Sequence, residues 1–198
     1  MECEGGSSTT IRDALRTNPL SIALDATLKP RRFTRRGSRW YRKQGDLTDV
    51  ISVIRSKSGA SVDIELGVFD PGPYVALWNR LPNTITESDC VVRAEVGALA
   101  DAGRVWHEGS QEDAIVLAHL IREQGLGWLD SMHDATARVV YLKSRKWLAP
   151  TEAALLALSE EGIGDRASAR ARLRALISED NEDWDFRIRD LLAHLRDS

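Results

Sequence analysis

Apolar and polar side chains alternate with a period of two between residues 38 and 98, a pattern typical of β-strands. The alternation predicts four antiparallel strands, over about residues 38–43, 47–55, 62–68 and 90–96. The second strand is apolar at both parities, as at Val50 and Ile51, so we expect it to be covered on both faces. The segment around Trp78 and Pro82, between the last two strands, is expected to be irregular.

Upstream of the strands the apolar period changes to 3.6 residues, which predicts helices. Leu20, Leu24 and Leu28 form one apolar stripe of a helix that ends at the following proline. A shorter helix carrying Ile11 and Leu15 is expected before it. The polar, glycine-rich residues 1–8 are expected to form a disordered tail.

Downstream of the strands the helical period returns. Ser110 is the expected N-cap of a helix that ends at Gly125 and Gly127. Further helices are predicted over about residues 134–148, 151–160, 166–177 and 182–195. The sequence therefore predicts an α+β fold in which one or two helices precede a four-stranded antiparallel sheet and a helical C-terminal region follows it. We expect an α+β domain over residues 9–133 and a helical extension over 134–198 that packs on the same domain.

The amino-acid composition excludes some classes of protein. A net charge of −3 and 42% hydrophobic residues are typical of a globular domain. The longest apolar run, residues 153–158, is far shorter than the roughly 18 residues that a membrane span needs, so we expect no membrane partner. With no secretory signal and only two cysteines, Cys3 and Cys90, the chain is expected to be cytoplasmic and reduced.

Positive charge is concentrated in one segment. Residues 29–58 carry ten basic side chains against Asp46 and Asp49, whereas the rest of the chain is acidic. Eight of these cations lie within residues 29–43, where Phe33, Trp40 and Tyr41 are interleaved with them. Cations with stackable aromatic rings are typical of single-stranded nucleic-acid binding. The alternative is structural: the aromatic side chains pack inward, and the arginines pair with carboxylates or are solvated.

A second group of charges is expected on one side of the sheet. If the third and fourth strands are neighbours, Asp63, Glu65, Arg93 and Glu95 share a face, and Arg55 could join them. Such a row can form a ligand or partner surface. More often it is a solvated face with cross-strand ion pairs.

Signatures of common catalytic sites are absent from the sequence, including phosphate-binding loops and the G-x-S-x-G nucleophile motif. His119 and Glu123 are four residues apart on a predicted helix, but no further ligands are nearby, so we expect no metal and no cofactor. Cys90 is expected to be a buried, inert thiol. An enzyme that assembles its site in space from Asp63, Glu65 or His107 remains an alternative.

The middle of the chain carries an ordered series of short motifs: Leu28-Lys29-Pro30, Phe33, Arg36-Gly37, Trp40-Tyr41-Arg42, Gly45-Asp46-Leu47, Val50-Ile51, Arg55-Ser56-Lys57, Ile64, Leu66-Gly67-Val68, Cys90-Val91-Val92-Arg93 and Val96-Gly97. In the order and spacing of these motifs, the chain resembles the bacterial domain-of-unknown-function 4304 family over roughly residues 20–130. The resemblance implies that the basic, aromatic first strand belongs to a family pattern, and it implies no catalytic residues. At Arg31-Arg32 this chain departs from that pattern.

Together these features favour a non-enzymatic protein-interaction module of the immunity or adaptor type, whose partner is another protein. The alternatives are nucleic-acid binding through residues 29–43 and an unrecognised enzyme. The candidate binding residues are Arg35, Arg36, Arg39, Trp40, Arg42, Arg55, Asp63, Glu65 and Arg93. Neither catalytic nor metal-binding residues are assigned, and the oligomeric state is left open.

Overall fold

The computed structural model describes residues 18–57, 61–99, 105–107, 109–177 and 182–197. The predicted tail and the predicted helix carrying Ile11 and Leu15 lie outside these residues. Among the described residues, no helix is long and apolar enough to cross a membrane.

The sheet is antiparallel and has five strands, paired in the order in which they occur along the chain. The strands are β1 (Thr34–Arg36), β2 (Arg39–Gln44), β3 (Leu47–Arg55), β4 (Val62–Phe69) and β5 (Val92–Glu95). The α+β class is confirmed, with one strand more than predicted. The additional strand, β1, has no apolar alternation because its three residues are Thr-Arg-Arg. It pairs with β2 through a tight turn in which Gly37 adopts a positive φ of 64°, a conformation that favours glycine.

Helices precede and follow the strands along the chain, and α2 lies between β4 and β5. They are α1 (Pro19–Leu28), α2 (Pro71–Trp78), α3 (Val96–Leu99), α4 (Gln111–Leu120), α5 (Leu126–Ser131), α6 (Ala135–Ser144), α7 (Pro150–Gly162), α8 (Arg166–Ala175) and α9 (Glu182–Asp197). Single 3₁₀ turns follow α1 and precede β5, at Lys29–Arg31 and Glu87–Asp89.

The irregular segment predicted after β4 is wrong in part, because it begins with α2. The sequence Asp70-Pro71-Gly72-Pro73 starts a helix as well as ending a strand. The Asp70 carboxylate caps the helix by accepting from the N–H of Gly72, and Pro71 occupies the first helical position, where a missing N–H costs nothing.

The end predicted for the helix after Ser110 is also wrong. Ser110 does cap α4, since its hydroxyl accepts from the N–H of Asp113. The chain then continues through a π-helical turn at Ile121–Gly125 into α5. Gly125 is buried, and a Cβ placed there would lie 3.0 Å from Leu66 Cδ1. This glycine therefore allows the helix to approach the sheet closely.

The two faces of the sheet differ in what covers them. The core face carries the cross-strand row Trp40, Ile51, Leu66 and Ala94, of which Trp40, Ile51 and Leu66 pack with residues of α1 and α4 in the main hydrophobic core. The polar face carries the row Arg39, Ser52, Glu65 and Glu95, beside a smaller cluster of Val50, Phe69, Tyr74 and Cys90. Val50 and Ile51 are both fully buried, so the prediction that this strand is covered on both faces is confirmed.

Candidate functional site

Cross-strand register separates the predicted binding residues. Arg35, Trp40, Arg42 and Arg55 have the parity of the core face. Arg36, Arg39, Asp63, Glu65 and Arg93 have the parity of the polar face. Arg55 lies opposite Val62 at the exposed end of β3, so it does not join the charges of the polar face.

Trp40 is fully buried and belongs to a contact between the sheet and α1. Its indole Nε1 donates to Asp25 at 2.8 Å, and the Arg35 guanidinium lies 4.9 Å from the centre of its ring. Arg35 also donates to the hydroxyl of Ser21. Burial alone would raise the pKa of Asp25, but hydrogen bonds from Lys29 and Trp40 outweigh it and lower that pKa. Trp40 is therefore a core residue and is not available to a partner.

Arg42 is also an interior residue. Its Nε donates to Asp49 Oδ2 at 2.6 Å, another guanidinium nitrogen pairs with Asp130, and the cation lies 4.9 Å from the Phe33 ring centre. Asp49 is fully buried and its second oxygen lies 2.8 Å from Nε2 of His133. Arg42 therefore connects the sheet with the helical segment after α4 and is not a surface cation.

On the polar face, Arg39 is paired with a carboxylate that the sequence did not single out. Its guanidinium makes two hydrogen bonds to Glu87, at 3.0 and 3.4 Å, and Ser52 donates to the same carboxylate at 2.9 Å. Burial opposes ionisation of Glu87, but these donors outweigh it and lower the pKa of the carboxyl. The pairing holds the 3₁₀ turn against β2 and β3.

Arg93 is at the centre of a second chain of charges. It lies 3.9 Å from Glu65 and 3.0 Å from Glu152, which in turn lies 3.3 Å from Arg145. Burial raises the pKa of Glu65, and Arg93 opposes that shift. The hydroxyl of Tyr141 donates to the Arg93 carbonyl at 2.6 Å. These contacts attach α6 and the start of α7 to β5.

A cleft of about 440 Å³ opens beside Arg93, between α2 and the N-terminal end of α7. Its lining includes Tyr74, Arg80, Ser88, Cys90, Arg93 and Thr151. Cys90 is buried, and burial places the pKa of its thiol well above the ordinary value, so it is a poor nucleophile. Within the described residues, no cluster of three or more histidine, cysteine, aspartate or glutamate side chains could hold a metal ion.

The basic segment 29–43 divides into paired and exposed cations. Lys29, Arg35, Arg39 and Arg42 each lie within 4 Å of a carboxylate. Arg31, Arg32, Arg36 and Lys43 are exposed. We call these four residues the basic edge, because they lie on the edge strand β1, just before it, or on its neighbour β2. No further strand lies outside β1 in the part of the chain that the structure describes.

The site residues that sequence reasoning missed are Glu87, Ser52 and Glu152. The sequence Thr86-x-x-Asp89 has the spacing of a capping box, and both of its hydrogen bonds form. That signal predicts a turn, but it does not show that Glu87 reaches Arg39. Glu152 is 59 residues from Arg93, a separation that local patterns do not bridge.

The geometry defines a class of protein, an α+β domain with an antiparallel five-stranded meander, helices against its core face and charge networks on its polar face. The chain belongs to the family described as Domain of unknown function (DUF4304), which it matches over residues 24–131, from α1 to the end of α5. This match covers more than half of the 198 residues. No curated protein and no solved structure matches the chain.

Proposed function

We propose that the chain is a non-enzymatic protein-interaction module, of the immunity or adaptor type, that binds an acidic protein surface through its basic edge. The observation that carries this proposal is the exposure of Arg31, Arg32, Arg36 and Lys43 around the outermost strand of the sheet. None of the four forms an ion pair with another described residue. A cytoplasmic location, expected from the sequence, is part of the same proposal.

The distribution of charge supports a role in association. The chain as a whole carries a net charge of −3. A local cationic surface on a net-negative molecule separates positive from negative charge, and such a field orients an approaching charged partner. Complementary surfaces of this kind raise association rates and reject partners of the wrong sign more than they add affinity. Exposed cations at a strand edge also discourage uncontrolled strand pairing, which is compatible with a specific partner.

The positions of the aromatic residues favour a protein partner over single-stranded nucleic acid. Phe33 and Trp40 are 3% and 0% exposed, and the Tyr41 hydroxyl donates to the carbonyl of Ile85 at 3.0 Å. Bases therefore cannot stack on Phe33 or Trp40, the contribution that sequence-tolerant single-strand binding uses. Nucleic-acid binding here would depend mainly on phosphate contacts, and the experiment below distinguishes it.

Asp63, Glu65 and His107 are the residues of the alternative in which the chain is an enzyme. Their contacts support a non-enzymatic role. Glu65 faces Arg93 on the polar face of the sheet. His107 lies before α4, and its backbone N–H donates to the carboxylate of Asp113. Asp63 accepts from the N–H of Ile64, the next residue in β4. Asp63 and Glu65 therefore share the polar face of β4, where Glu65 is paired with Arg93, whereas His107 lies on another segment of the chain.

The proposal is tested by capture from a lysate of the native host, with and without nuclease, read by mass spectrometry. The bait proteins are the wild type, the basic-edge variant Arg31→Glu/Arg36→Glu/Lys43→Glu, and a control in which three other exposed cations are reversed. The control is Lys146→Glu/Arg166→Glu/Arg174→Glu, which changes the net charge equally.

We expect one protein partner in stoichiometric amount that resists nuclease, is retained by the control and falls by about tenfold or more with the basic-edge variant. Equal capture by the two charge variants would exclude the basic edge as the binding surface. Capture that disappears with nuclease would show that the cations bind nucleic acid instead.

A further inference from the structure

Helix α9 presents a stripe of exposed side chains on the side that faces away from the core. Phe186, Arg189, Asp190 and Ala193 are exposed and have the spacing of one helix face, whereas Ile188, Leu191 and Leu195 are buried. Phe186 is 75% exposed, the highest fraction among the exposed large hydrophobic residues of the described chain. An aromatic ring this exposed is typical of an interface that the isolated chain does not cover.

A groove of about 730 Å³ runs beside this stripe, between α9 and α2. Val75, Leu77, Leu158, Leu191 and Leu195 line its apolar part. Phe186 and Asp190 of the stripe also line it, as does His194.

Arg187 holds the two walls of the groove together. Its guanidinium donates to the carbonyl of Leu77 and lies 5.2 Å from the centre of the Trp78 ring. One surface therefore carries both a projecting aromatic ring and an apolar recess with fixed walls.

We propose that this surface binds a second copy of the chain, with the two α9 helices antiparallel around a two-fold axis. The stripe is symmetric about the point between Arg189 and Asp190. In an antiparallel pair centred there, Phe186 lies opposite Ala193 of the second copy, and Arg189 lies opposite Asp190. Each copy thus places a large side chain against a small one and a cation against an anion.

Charge complementarity favours a second copy as the occupant of the groove. The two-fold axis makes the Arg189–Asp190 pair twice, and both pairs form only in the antiparallel arrangement. The same operation directs each Phe186 toward the groove of the other copy. An interface that uses one patch on both copies is isologous and closes at two subunits.

Sedimentation velocity of the full chain over a range of concentrations tests the proposal. We expect the wild type to form dimers, and Phe186→Asp to raise the dissociation constant at least about 100-fold, as loss of a buried aromatic contact at an interface does. Arg189→Asp and Asp190→Arg should each raise it about tenfold. The double variant Arg189→Asp/Asp190→Arg restores opposite charges across the axis, so it should return the constant close to that of the wild type.

Ile115→Asp is the matched control, because Ile115 is 58% exposed on α4 and lies outside the groove. It should leave the dissociation constant unchanged. The proposal is overturned if the wild type stays monomeric up to about 0.1 mM, a range that still detects weak association. Equal effects of Phe186→Asp and Ile115→Asp, or a double charge variant as weak as the single ones, would also overturn it.

Discussion

Arg42 and Asp49 face each other across β2 and β3, with Nε of the guanidinium 2.6 Å from the carboxylate. Both side chains are buried, at 7% and 0% exposure. The pair shows why the basic segment cannot be interpreted from its composition alone. A cation that by sequence belongs to a nucleic-acid-binding pattern is a structural residue in the fold.

The first prediction concerns this pair. Asp49→Ala leaves the buried Arg42 guanidinium without its main partner, so we expect it to lower the free energy of unfolding by about 3–5 kcal/mol. Asp130→Ala removes the other carboxylate bound to Arg42, but the Asp130 side chain is 58% exposed, so it should cost about 1 kcal/mol or less. Urea unfolding of the two variants compares them directly. Equal losses of unfolding free energy in the two variants would show that the burial of Asp49 does not determine how much its pairing with Arg42 contributes to stability.

The alternation of apolar and polar residues predicted those strands whose apolar positions are buried in the fold. In β4, Val62, Ile64, Leu66 and Val68 are buried as the alternation indicates. β1 was missed because it is a short, charged edge strand whose pairing depends on the turn at Gly37. Gly125 was interpreted as a helix end, although its missing side chain permits contact with Leu66. A local hairpin turn determines the first feature, and long-range packing determines the second.

The candidate site was less predictable than the fold. Parity correctly placed Glu65 and Arg93 on one side of the sheet, and their charged atoms lie 3.9 Å apart. The partners that decide what these residues do, Glu87 and Glu152, come from a turn and a helix far away in sequence. Which cations of residues 29–43 are free of such partners therefore depends on tertiary structure.

The second prediction concerns a close contact between β4 and the segment before β5. A Cβ at Gly67 would lie 2.7 Å from Cys90 Sγ and 2.8 Å from Cys90 Cβ, too close for β4 and the segment before β5 to accept without moving. Gly67→Ala should therefore lower the free energy of unfolding by about 1–3 kcal/mol. Gly127→Ala is the control, because Gly127 is in α5 with open space around its Cα. There we expect a gain of up to about 1 kcal/mol from helix propensity. A Gly67→Ala protein as stable as the wild type would contradict the packing described here.

The third prediction uses the opposite pKa shifts of two carboxyls on the polar face. The pKa of Glu87 is below its ordinary value of 4.5, because the donors around it outweigh burial. Its contribution to stability is present above that ordinary value and is lost as the pH falls through the lowered pKa. Glu87→Gln should therefore reduce the free energy of unfolding by about 1–2 kcal/mol at neutral pH and by less at about pH 3.

Glu65→Gln is the matched comparison, because burial raises the pKa of Glu65 and its ionised form is disfavoured in the fold. Removing that charge should be better tolerated at neutral pH than at acid pH, where the carboxyl is already protonated. Denaturant unfolding of both variants across the pH range checks the signs. A pH dependence of the same sign for the two substitutions would contradict the assignment of their environments.

The central claim is that the basic edge contacts an acidic partner. The most direct measurement is carbodiimide cross-linking of the captured complex, which joins an amine to a carboxylate in direct contact. The chain has five lysines, at positions 29, 43, 57, 143 and 146, and Lys43 is the one on the basic edge. We predict that peptide mapping finds the partner's carboxylates joined to Lys43. Partner peptides joined to Lys143 or Lys146, with none at Lys43, would contradict the claim.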